Sequence, residues 1–258
     1  MSNSDRSQKT HAFSRIDVLV IVAACGLLGF VGLSVRGNVA DASEKAVCLG
    51  NLRHIGRAFQ LWASDHQDQY PMWLTFMDGG FKPSPEGFPP GSTVTFPGLG
   101  TFPWASRNTA WFQFLWLHRE LQTPAVLVCP ADVARSRAQT FSNSPAAGYT
   151  HVNYQDRATS YGIWIDIPTQ FPAGPIVSDR HVRPQVYETC SNFGFGAYRF
   201  QAYEVNQPNI GPLWTDLMHN ASGNLFFNDG RAEEFSTPML RRHFAVEENA
   251  FFHITLPQ

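Results

Sequence analysis

FSRIDVLVIVAACGLLGFVGLSV, from Phe13 to Val35, is a single apolar run, and from Val18 to Val35 it contains no charged residue. Eighteen residues at about 1.5 Å each approach the roughly 30 Å hydrocarbon core of a bilayer. A helix that is apolar on every side is either wholly buried in a large core or surrounded by lipid, and this length points to lipid. Asp17 is the exception, just inside the front of the run. A carboxylate there costs a few kcal/mol unless it snorkels or meets a partner, so it marks a functional position.

The flanks set the orientation. Arg6, Lys9 and Arg15 precede the apolar core, with Asp5 the one acid before Asp17. By the positive-inside rule, residues 1–12 form a cytoplasmic leader, 13–36 a transmembrane helix, and the rest is exported; Arg36 is a weak dissent. Two rivals remain open. Ala40-Asp41-Ala42 has the small-residue look of a signal-peptide cleavage site, although the run exceeds the roughly 7–15 apolar residues of such peptides. Val22-Ala23-Ala24-Cys25 fits the box before a lipidated cysteine, which would leave GLLGFVGLSV in water beyond the lipid.

Behind the polar leader, Ala12-Phe13-Ser14-Arg15-Ile16-Asp17-Val18-Leu19-Val20 resembles the prepilin-type cleavage and methylation motif of type IV pilins and type II secretion pseudopilins. The resemblance implies a cut between Ala12 and Phe13, methylation of the new amine, and Asp17 as the assembly carboxylate. The family more often has Gly where this chain has Ala12, and Glu where it has Asp17. It also implies the partners: the membrane, a prepilin peptidase and other pilin-like subunits. A carboxylate inside a bilayer can pair with the charged terminal amine of a neighbour, which offsets the desolvation of both.

Past Arg36, the residues Cys48, Leu52, Ile55, Phe59 and Trp62 recur at helical spacing, with Arg53, His54, Arg57 and Gln60 on the other face. This predicts that the helix continues through residues 37–70 and closes before Pro71, after the polar turn SDHQDQY. The expected fold class is therefore α+β and pilin-like: a long N-terminal helix, transmembrane then amphipathic, packed on an antiparallel β-sheet with long loops. Residues 71–258 form the globular part. The segment CLGNLRHIGRAFQLWASDHQDQYP also resembles the matching stretch of large pseudopilin-like proteins.

Composition suits an exported body on an anchor. Charged residues make up 16 % and aromatics 14 %, including 21 Phe and 7 Trp, so a sizeable core is available. Net charge is −2, with no basic cluster after the span, so there is no electrostatic footprint for nucleic acid.

Within the body, residues 78–104 are dense in Gly and Pro and read as a long loop. Its Phe81, Phe88, Phe96 and Phe102 either tuck into the body or form a contact surface, and tucking in is the commoner outcome. Residues 110–121 read as a short buried helix, 126–129 as a strand ended by Cys129 before Pro130, and 159–165 and 175–178 as extended segments. Cys129-Pro130-Ala131-Asp132 has the Cys-Pro-x-Asp form found at the corresponding place in the resembling family. Asp179-Arg180 either forms a site or, more commonly, ties down a loop. Residues 184–212 carry little pattern.

Residues 214–219, 224–228 and 231–235 read as strands, with turns at 220–223 and 229–230. Ser236 to Glu248 reads as a closing helix with Ser236 or Thr237 as its cap and Pro238 in its first turn. His219, nine residues, then Asp229-Gly230 matches the H-x9-DG signature of a large group of prepilin-motif proteins. An extended 224–228 spans some 17 Å, so His219 and Asp229 cannot share an ion. The expected role is structural, with Asp229-Gly230 as a hairpin turn and His219 bracing the start of the strand.

Of four cysteines, Cys25 falls in the membrane run, leaving Cys48, Cys129 and Cys190. Cys48 lies on the inward helix stripe and Cys129 at a core strand end, so these two are the best pair, either disulfide-bonded or buried and reduced. No catalytic motif is present: there is no Gly-x-Ser-x-Gly, His-Glu-x-x-His, phosphate loop or Cys-x-x-Cys. The expectation is no enzyme, no cofactor and no metal. Asp65, His66 and Asp68 cluster at a helix end, but they do not supply the ligand count of calcium. Two readings follow: a pseudopilin-like envelope subunit, or a single-pass anchored or lipidated domain that binds a glycan or protein through its aromatic-rich loop.

Overall fold

The computed structural model describes residues 15–80, 91–104, 106, 109–165, 173–183, 186–190, 195–201, 212–244 and 251–257, without the side chains of 17, 27–40, 76, 186–190, 195–201 and 251–253. The chain divides into two units, Met1–Ser43 and Glu44–Gln258. Helix α1 is continuous from Arg15–Ser64. In the first unit its Ile16, Val18, Leu19, Val20, Ile21 and Val22 are all exposed. Among the described residues no helix is long and apolar enough to cross a membrane; side chains 27–35 of the apolar run are outside that description.

In the second unit α1 is amphipathic, as its spacing requires. Cys48, Leu52, Ile55, Ala58, Phe59 and Trp62 are buried, while Arg53, His54, Arg57 and Gln60 face solvent. The helix stops at Ser64 rather than near residue 70. Gln67 and Asp68 take positive φ, and Asp68 N–H reaches back to Ala63 O at 2.9 Å, a turn that polar side chains tolerate better than branched ones.

The strands are β1 (Thr93–Phe96), β2 (Gly100–Pro103), β3 (Tyr161–Trp164), β4 (Pro175–Asp179), β5 (Val182–Arg183), β6 (Val186–Cys190), β7 (Phe195–Gln201), β8 (Leu213–Trp214), β9 (Ser222–Phe227), β10 (Ala232–Ser236) and β11 (Phe251–Thr255). Seven form one sheet in the order β10-β9-β4-β3-β11-β7-β6, with every neighbouring pair antiparallel. The body is thus α+β. The helix meets the sheet at Gly56, where an added Cβ would stand 2.3 Å from the Phe226 ring. Only a glycine lets backbone and ring approach so closely.

Several local expectations are corrected. Residues 78–104 contain a hairpin, β1 with β2, that registers Val94 against Phe102. Phe96 is buried and packs edge-on against Phe112 and Trp116, and Phe102 lies against Phe112 and Trp111; Phe81 and Phe88 fall outside the described residues. The helix expected over 110–121 is broken into α2 (Ala110–Phe114), a 3-10 turn at Leu115–Leu117 and α3 (His118–Leu121). The strand expected at 126–129 begins instead as a 3-10 turn, Pro124–Leu127. Pro124 presets its φ, and the Thr123 hydroxyl accepts the Ala125 N–H at 3.2 Å. The patternless 184–212 contains β6 and β7, the edge hairpin of the sheet. The strand expected at 214–219 is only Leu213–Trp214. The closing helix α4 is Thr237–Phe244, and 245–250 lie outside the described residues.

Candidate functional site

The functional groups gather where α1, the turn after Leu127, the end of β4 and the entry to β9 meet. Cys48 and Cys129 are joined by a disulfide, with Cα atoms 5.0 Å apart, and neither is exposed. The Cys129–Asp132 turn is closed by Asp132 N–H donating to Cys129 O at 2.9 Å. Asp132 then accepts both Nε (2.6 Å) and Nη2 (2.8 Å) of Arg180. This forked, nearly buried pair is the strong form of an ion pair.

His219 is brought in by an unusual turn. His219, Asn220 and Ala221 all have φ between 51° and 56°, a left-handed conformation costing about 1–2 kcal/mol per non-glycine residue. Ser222 stabilises it, its N–H donating to His219 O at 3.2 Å, and its hydroxyl oxygen lies 2.7 Å from the same carbonyl and beside Glu234 Oε1, the two acceptors sharing its one proton. The imidazole Nε2 then stands 3.4 Å from Cys129 Sγ and 3.7 Å from Asp179 Oδ2. Pairing of β4 with β9 sets Ser178 opposite Leu225, which places Asp179 beside Asn224. Both the Asn224 N–H (2.7 Å) and Nδ2 (2.9 Å) donate to Asp179 Oδ2. His181 lies beside Trp214, with ring centroids 4.9 Å apart, and its Nε2 is 2.7 Å from Ser222 O. On the outer side Lys45 Nζ meets Glu234 Oε1 at 2.9 Å.

Burial dominates the electrostatics. It pushes the Asp179 carboxyl up to about 7, against the opposing pull of the two Asn224 hydrogen bonds. It pushes His181 down to about 4 and lowers His219, where Lys45 adds to the effect. The Ser222 hydroxyl, then Lys45, hold Glu234 below its ordinary range. The His219–Asp179 contact is therefore not a strong ion pair at neutral pH: burial drives both partners toward neutrality, and 3.7 Å is too long for a hydrogen bond. The cluster has sulfur, imidazole and carboxylate groups, all of them buried.

The other expected residues are placed as follows. Ala12 and Phe13 lie outside the described residues; Asp17 lies in α1, its side chain undescribed. Asp229 and Gly230 form the turn between β9 and β10, with Gly230 at φ 89°. Asp229 accepts Arg231 N–H at 3.0 Å and Nε at 2.7 Å. It and His219 flank β9 at opposite ends, each with its own partners. Asp65, His66 and Asp68 do not converge; His66 instead stacks on Trp62 at 3.6 Å, beside a recess of about 410 Å³ that Trp116 and Glu120 also line. Asp132, His181 and Asn224 were not legible in advance. The available signals were the Cys-Pro-x-Asp turn and the charged pair Asp179-Arg180, whose partners are 48 and 45 residues away. Compared with known protein families, curated proteins and solved structures, the chain matches none significantly.

Proposed function

We propose that the chain is a pilin-like subunit of a type II secretion or type IV pilus-like envelope assembly. In this reading residues 13–36 hold it in the cytoplasmic membrane, with the N-terminus in the cytoplasm and the sheet domain outside. A prepilin peptidase cuts between Ala12 and Phe13, and Asp17 meets the amine of a neighbouring subunit. The observation that carries the reading is α1. One helix of 50 residues joins a stretch whose described apolar side chains, Ile16 to Val22, are each at least half exposed to a stretch whose apolar face is the spine of an antiparallel sheet. Apolar side chains standing out from a helix call for lipid or like helices around them. Packing of Phe96 and Phe102 into the body leaves fewer aromatics in that hairpin for a ligand surface.

The mature N-terminus tests the proposal. Intact-mass and terminal sequencing of native protein are expected to give N-methylated Phe13. An acylated Cys25, or a soluble chain beginning near Ser43, overturns it. Asp17→Ala is expected to leave the protein folded and membrane-bound, but absent from cross-linked assemblies.

A further inference from the structure

A recess of about 410 Å³ opens between the end of α1, the hairpin of β1 with β2, and α3. Its polar groups accept hydrogen bonds and offer few in return. His66 Nδ1 lies 2.7 Å from Trp62 O, and His118 Nδ1 lies 2.7 Å from Leu115 O. A carbonyl only accepts, so each ring carries a proton on Nδ1, and in the neutral ring Nε2 is left as a lone pair. Asp65 and Glu120 add two carboxylates. Glu120 is half-buried, and its Oε2 is buried with no hydrogen-bond partner among the described residues; half a turn about its last side-chain bond exchanges its two oxygens. On the donor side, the Trp116 indole N–H already meets Gly79 O at 2.9 Å, and the Thr95 hydroxyl meets that of Thr101 at 2.8 Å. Arg119 is exposed, and two carboxylates against its one guanidinium leave the lining negative. The apolar wall is Trp116, half-buried and held edge-on by buried Phe96, ring centroids 4.7 Å apart.

A ligand suited to this lining brings several donors, a positive charge and a flat face. The acceptors are also spread out: no three of these His, Asp and Glu groups place ligand atoms within 4.8 Å of one another. A metal ion or an ammonium gathers its partners around a single atom. A guanidinium instead sets five N–H donors around a plane, and it accepts nothing. We propose that this recess binds a guanidinium group on an aliphatic stem, as arginine carries. Its plane lies on the Trp116 ring, and its N–H groups donate to the carboxylates of Asp65 and Glu120 and to the imidazole Nε2 lone pairs. Guanidinium is weakly hydrated and stacks on aromatic faces, and its bonds to carboxylates are charge-assisted. A carbohydrate would need donors for its hydroxyl oxygens, and an anion would need positive charge; beyond Arg119 the recess has little of either. Every lining residue belongs to the second unit, so the site stands apart from whatever surrounds residues 13–36.

The test uses the full-length chain at about pH 8, where a neutral imidazole is the ordinary form, in micelles of a polyoxyethylene detergent, which carries neither sugar nor charge. Ligand-observed saturation-transfer NMR measures dissociation constants for two probes. Nα-acetyl-arginine methylamide stands for a side chain in a polypeptide, and 1-butylguanidine for a free guanidine. At least one is expected to bind at about a millimolar or tighter, and the tighter of the two names the source. The citrulline analogue of the first probe, equal in shape but uncharged, should bind at least about tenfold more weakly. The lysine analogue, a point charge, should also bind more weakly. With folding verified by circular dichroism, Glu120→Gln and the exposed Asp65→Asn should each weaken arginine binding by about fivefold or more. Arg119→Ala, which removes a like charge, should not weaken it. Failure of both guanidines to bind, equal binding of the citrulline or lysine analogue, or tighter binding of methyl glucoside overturns the proposal. So does weakening by Arg119→Ala, or undiminished affinity in both carboxylate variants. If Glu120→Gln does not fold, Asp65→Asn and Arg119→Ala, both at exposed positions, decide.

Discussion

Asp179 and His181 stand two residues apart and are pushed in opposite directions by the same burial, so their effects on stability oppose. Asp179 titrates near 7 in the folded chain against an ordinary 3.8. The folded state binds the extra proton in between, so that contribution is complete below about pH 4 and is lost as pH rises through 7. His181 titrates near 4 against an ordinary 6.5, so its contribution is present above 6.5 and is lost as pH falls through 4. The groups around Asp179 are Asn224, His219, Asp132 and Glu234; those around His181 are Ser222, His219, Arg180 and Asp132. Between pH 4 and 6.5 the slopes largely cancel. Asp179→Asn removes one of them while keeping an acceptor for Asn224. Stability of the oxidised variant should then climb by up to about 3 kcal/mol across that window, with His219 adding in the same sense. Urea unfolding at stepped pH, in the presence of a chelator, reads this directly. A profile parallel to that of the parent protein counts against burial as the cause.

At the scale of elements, the contact of α1 with β9 rests on one missing side chain. Gly56→Ala drives a methyl into the buried Phe226 ring and should cost about 1–3 kcal/mol. Phe226→Leu in the same chain should recover part of that loss, a non-additivity measurable by a double-mutant cycle. The disulfide closes a separation of 81 residues. On loop-closure grounds, replacing both cysteines with alanine should lower stability by about 4–5 kcal/mol, seen as an earlier denaturant midpoint. Gly230 sits at φ 89° in the β9–β10 turn, so Gly230→Ala should cost about 1–2 kcal/mol there and leave the Cys129–His219 contact intact.

For the whole molecule the question is what surrounds the first half of α1. Among the described residues, nothing lies within 4 Å of where a Cβ on Gly26 would stand, so a side chain can be added there. Near the middle of a bilayer span Gly26→Arg costs about 2.5–3.5 kcal/mol. Carbonate extraction should therefore leave the parent chain in the membrane pellet and shift much of the Gly26→Arg chain into the supernatant. Equal partitioning of the two removes the bilayer from the account of residues 13–36.

Features set by local periodicity are legible in the sequence alone. The buried stripe from Cys48 to Trp62, strands β3, β4, β9 and β10, and the Asp229-Gly230 turn all follow from spacing and turn chemistry, because side-chain direction along a helix or strand repeats within a few residues. The broken helix at 115–117, the 3-10 turn at 124–127 and the edge hairpin in 184–212 were not legible, since packing overrides weak local preference. The cluster itself belongs to tertiary structure. Cys129 meets His219 across 90 residues and Asp179 meets Asn224 across 45, and no spacing rule joins positions that only a folded sheet brings together.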